Sequence, residues 1–120
     1  MSKLDEKVNV RPITLRDTET GDTYILEFNR DSVKFAEDRG FVIDDVSKFP
    51  MTKWHELFYY AFHMHHPRVA KANTDKILDE ELGGITALPD GFLERLVELY
   101  GAAFEPLVDT SKNSKVQIEM

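Results

Sequence analysis

The chain has 120 residues, 42% of them hydrophobic and 31% charged, with no cysteine and a net charge of −7. That is about one domain with a small core, and the lack of cysteine excludes disulfides, thiolate zinc sites and thiol nucleophiles. An acidic surface repels phosphate, which argues against nucleic acid and anionic membrane as partners, and no apolar run has the length of a signal-peptide core or a membrane span.

Residues 1–10 are charged and weakly patterned, so they are expected to form a flexible arm before a single globular domain over residues 11–108. Two short alternating runs, Pro12–Arg16 and Thr23–Phe28, flank the turn-rich Asp17–Asp22. This pattern predicts a β-hairpin over about residues 12–28, with Ile13 and Leu15 on one face and Tyr24, Leu26 and Phe28 on one face. A lone hairpin is marginal, so another element must cover its apolar side. Asn29 or Asp31 can cap a helix over 31–39 with Val33, Phe35 and Ala36 inward and Gly40 as its left-handed stop. Asp44 and Asp45 offer a cap for a short turn that ends before Pro50. Thr52 is the cap candidate for a helix reaching about His66, because Pro67 disfavours helical backbone at the residue before it. Asn73 or Thr74 opens a short helix with Ile77, Leu78 and Leu82 inward and Asp79, Glu80 and Glu81 outward, ended by Gly83 and Gly84. Leu88-Pro89-Asp90 starts a last helix that runs to Phe104 or Val108, and residues 109–120 form a polar, flexible tail. The fold class is therefore mainly α with an N-terminal two-stranded β-hairpin, a small single-domain α+β protein.

The segment Lys53–Pro67, KWHELFYYAFHMHHP, holds all four histidines of the chain. On a helix of 100° per residue, Trp54, Leu57, Phe58, Ala61, Phe62 and His65 share one stripe, the expected core face. His55, Tyr59, His63 and His66 lie on an adjoining flank, and Glu56, Tyr60 and Met64 on another. His63 and His66 have a ligand-like spacing, but positions 59 and 62 are Tyr and Phe, so no third metal ligand follows, and His55-Glu56 lacks the second histidine of a zincin. No Gly-rich phosphate loop or activated nucleophile is present, and the carboxylate clusters fall on capping and solvated positions. The candidate list is therefore empty for catalytic, cofactor-binding and metal residues. Two readings of the aromatic flank stay open: a face for another protein, or a surface that the hairpin covers. The last helix is also broadly apolar, with ridges Phe92, Leu96, Leu99, Ala103 and Leu93, Val97, Tyr100, Phe104, Leu107. The candidate partner-binding residues are His55, Tyr59, His63, His66, Tyr100 and Phe104.

The order TGDTYILEFNRDSVKFAEDRGF, MTKWHELFYYAFHMHHP, TDKILDEELGG, LERLVELYGAAFEPLV resembles the small tail assembly chaperones of long-tailed phages and prophages. Leu57–Pro67 and Glu94–Glu105 carry most of the likeness, which spans roughly residues 11–108. The resemblance implies a mainly helical, non-catalytic protein without cofactors, working in the cytoplasm of the bacterial host. Such proteins bind the tail tape measure protein and keep it soluble while the tail tube forms. They associate with their own copies, and the tail tube protein is a further candidate partner. The alternative is a small acidic phage or plasmid-borne inhibitor or adaptor that binds one host protein.

Overall fold

The computed structural model describes residues 10–104 and Glu119; the expected arm, the tail and the end of the last helix beyond Phe104 lie outside the described residues. Strands β1 (Ile13–Arg16) and β2 (Thr23–Leu26) form an antiparallel hairpin, followed by α1 (Arg30–Asp38), α2 (Pro50–His63), α3 (Lys71–Lys76) and α4 (Phe92–Ala102). A 3₁₀ turn at Ile43–Val46, a π turn at Ile77–Glu81 that continues α3, and a 3₁₀ turn at Ile85–Ala87 fill the connections. The protein is mainly helical with one N-terminal hairpin, as the alternating and helical patterns predict.

The hairpin register pairs Ile13 with Leu26 and Leu15 with Tyr24, so the predicted apolar faces of the two strands coincide. Its turn is organised by Asp17, whose carboxylate accepts the N–H groups of Glu19 (2.9 Å) and Thr20 (3.1 Å). These two bonds favour the ionised form and hold the Asp17 carboxyl below its usual range. Asn29 caps α1: its side chain accepts the Ser32 N–H at 2.8 Å, and the Ser32 hydroxyl oxygen accepts the Asn29 N–H at 2.9 Å. This reciprocal pair chooses Asn29 over Asp31 as the start.

Three predicted starts move. α2 begins at Pro50, two residues before Thr52, because proline needs no N–H partner in a first turn; the Thr52 hydroxyl instead donates back to the Phe49 carbonyl. α3 begins at Lys71, and Thr74, expected as a cap, is fully buried with its hydroxyl donating to the Lys71 carbonyl at 3.0 Å. α4 begins at Phe92 after Gly91, whose φ of 84° ends the preceding turn.

The core explains why α2 is aromatic almost all round. Leu57, Phe58, Tyr60, Ala61 and Phe62 are buried, and α2 packs against β2, α1, α3, α4 and the 3₁₀ turn at 43–46. A helix with neighbours on most sides has no broad polar face. Tyr60, expected on an outer flank, is buried between Phe35 of α1 (6.0 Å) and Phe41 (5.3 Å). His65, expected at the end of the core stripe, is exposed and its Nε2 lies 2.8 Å from the Glu27 carboxylate.

Candidate partner interface

The four histidines of α2 and its exit turn each reach a different neighbour. His55 places Nδ1 2.6 Å from the Met51 carbonyl and Nε2 2.7 Å from the Asp79 carboxylate, tying α2 to the π turn. His63 stacks flat on Phe35, with ring centroids 3.7 Å apart and planes 10° from parallel. The Arg39 guanidinium sits 3.6 Å from the centroid of that same ring. His66 accepts the Ile25 N–H at Nε2 (2.9 Å) and meets the Tyr24 ring edge-on at 5.4 Å. Hence His63 and His66, which share a ligand-like spacing, serve α1 and β2 separately. Among the described residues no three His, Asp or Glu side chains converge.

The His66 contact has a pH consequence. An imidazole that accepts at Nε2 is neutral, and burial, with His65 adding, pushes the His66 pKa below its usual value. His63 is pushed the same way by burial and by Arg39. An unfolded histidine titrates near about 6.5. Below that pH the unfolded chain binds protons that the fold refuses, so stability is full above it and declines as pH falls through the window beneath. His66→Gln keeps a carbonyl acceptor for the Ile25 N–H and removes the titration. Melting curves at pH 7.5 and 5.5 are therefore expected to differ less in His66→Gln than in wild type; an equal or larger difference in the variant contradicts the assignment.

The other three candidates divide. Tyr59 is half-buried and leans on Tyr60 with ring centroids 5.1 Å apart. Tyr100, expected on a contact surface, is 2% exposed and sits edge-on to Phe28 (5.0 Å) and Phe41 (5.7 Å), so it is a core residue. The apolar arc of α4 that looked surplus is filled at its centre by Leu96, Leu99 and Tyr100, all buried. Phe104, one turn further on, is 57% exposed.

What the sequence reading missed is the exposure of Val42 and Phe49 beside Met51. Val42, Phe49 and Met51 are 50%, 57% and 73% exposed. Val42 and Phe104 line one open groove of about 320 Å³ together with Phe41, Ile43 and Tyr100. Phe49 and Met51 stand at the start of α2, which packs on the 43–46 turn. No periodicity marks Val42 and Phe49, which lie just before a 3₁₀ turn and at the cap of α2, and Met51 falls in the first turn of that helix. The only signal was apolar residues flanking Asp44, Asp45 and Lys48 in a segment too short to bury them all.

No helix among the described residues is long and apolar enough to cross a membrane. A small, mainly helical domain centred on one aromatic helix, with apolar side chains exposed at Val42, Phe49, Met51 and Phe104, is the class that fold and site define. The chain belongs to the DUF5055 family, a domain of unknown function, which matches residues 1–120. No curated protein and no solved structure matches it.

Proposed function

We propose that this protein is a non-catalytic tail assembly chaperone that binds the tape measure protein and keeps it soluble while a phage tail assembles. The observation that carries the reading is the exposure of Val42, Phe49, Met51 and Phe104 on a protein of net charge −7. Apolar side chains in an acidic surround can hold apolar stretches of a long client while the charge keeps the complex in solution. The sequence resemblance over residues 11–108 supports the client's identity. Met51 is a fitting contact, since an unbranched thioether adapts to varied apolar surfaces.

Phe104 retains its proposed role in partner contact, and Tyr59 retains it at the exposed part of its ring. The histidines act at one remove, by fixing α2 against α1, β2 and the π turn. Co-expression with the tape measure protein encoded in the same genome tests the reading. The client is expected in the soluble fraction and to co-purify with this protein. A client that remains in the pellet, with this protein soluble and alone, contradicts it.

A further inference from the structure

The two edges of the hairpin are treated differently. Along β2, the outward N–H of Ile25 is taken by His66 (2.9 Å), and that of Glu27 by the Ala61 carbonyl near the end of α2 (3.0 Å). Because Ile25 points its N–H outward, its cross-strand partner Thr14 occupies a pair whose backbone groups also point out, on the β1 side. Arg16, two residues on, repeats this orientation. Among the described residues neither Thr14 nor Arg16 has a backbone hydrogen bond outside the hairpin, and both are exposed. Among the described residues, β1 therefore leaves two N–H and two C=O groups without a backbone partner, an open edge.

Beside that edge lies a cleft of about 520 Å³ between the hairpin and the π turn. Leu15, Tyr24, Ile77 and Leu82 supply its apolar lining. Its charged groups are the carboxylates of Asp17, Glu19 and Glu81 against the single guanidinium of Arg16; a smaller hollow on the α3 side adds Lys76. A π turn widens a helix locally, and such turns recur where a helix lines a site.

We propose that the open edge of β1 takes a third strand: an extended segment of a partner protein that alternates apolar with basic residues. Its backbone bonds to Thr14 and Arg16, its apolar side chains enter the cleft, and its basic side chains meet Glu19 and Glu81. This is recognition by strand addition, in which backbone bonds hold the segment and alternate pockets select it. Charge decides against a second copy as the occupant. Each copy carries −7, so like charge opposes the approach of two copies through this acidic rim. The inference stands on the edge and the cleft, and it holds whether or not the partner is the tape measure protein.

The test uses an eight-residue peptide of alternating lysine and valine, titrated at low salt against isotope-labelled full chain and followed by amide shifts and hydrogen exchange. An alternating glutamate–valine peptide is the comparator. The lysine–valine peptide is expected to shift the Thr14, Arg16 and Leu82 amides and to slow exchange at Thr14 and Arg16. Thr14→Pro removes one outward N–H and leaves the hairpin ladder whole; Glu19→Lys with Glu81→Lys reverses the rim. Each is expected to weaken the peptide about tenfold, and the charge reversal decides alone should the proline variant fail to fold. Four results each overturn the proposal: shifts confined to Val42, Phe49, Met51 and Phe104; equal binding of the glutamate–valine peptide; wild-type affinity in the folded variants; or protection of Thr14 and Arg16 that rises with protein concentration without peptide, which would make a second copy the occupant.

Discussion

Phe58→Ala is expected to cost about 3–5 kcal/mol, a large share of the roughly 5–15 kcal/mol that holds a domain of this size. Phe58 is 1% exposed and packs edge-on against Phe62 at 5.1 Å, with Phe92 of α4 at 6.3 Å on another side. Truncation leaves a cavity between α2 and α4, which those rings cannot close without leaving their own contacts. The loss appears as a melting temperature lower by at least about 10 °C. Trp54→Ala, at a half-buried position one turn earlier, is expected to cost distinctly less. Should Phe58→Ala melt within about 2 °C of wild type, the packing of α2 against α4 is not what stabilises the fold.

Tyr100→Ala is expected to be comparably severe, about 3–5 kcal/mol, because the ring joins α4 to Phe28 after the hairpin and to Phe41 after α1. The phenol behaves differently from the ring. Burial, with Glu37 and Tyr60 adding, pushes its pKa up to about 12. An unfolded tyrosine ionises near about 10, so the unfolded chain releases this proton first. Stability is thus full below about pH 10 and falls between there and about pH 12. Tyr100→Phe is expected to melt close to wild type at pH 7 and to lose less stability than wild type at high pH. Equal alkaline losses in both proteins would show the phenol to be in contact with water.

The fold was legible because its strongest signals are local. Asn29 with Ser32, Gly40, the Gly83-Gly84 pair and the alternation of Tyr24, Leu26 and Phe28 each act within a few residues of themselves. The helix starts were less legible, since Thr52 and Thr74 are plausible caps in sequence and only the third dimension gives their hydroxyls to carbonyls behind them. The flank of α2 misled for a clearer reason. Helical projection shows which residues share a face but not how many neighbours the helix has. With α1 taking His63 and Tyr60, β2 taking His66 and the π turn taking His55, an apparent surplus of aromatic arc is used inside the chain. Val42 and Phe49 fell outside regular helix and strand, where no period could reveal their exposure.

Replacing Phe49, Met51 and Phe104 together by serine, then measuring tape-measure retention and melting temperature on the same preparation, tests the central claim most directly. All three side chains are more than half exposed, so the core keeps its contacts and the melting temperature is expected to stay within about 2–3 °C of wild type. Retention of the client is expected to fall at least tenfold, on the order of the loss of one or two hot-spot contacts. Unchanged retention by a variant of unchanged stability would contradict the account and remove these exposed side chains from the function.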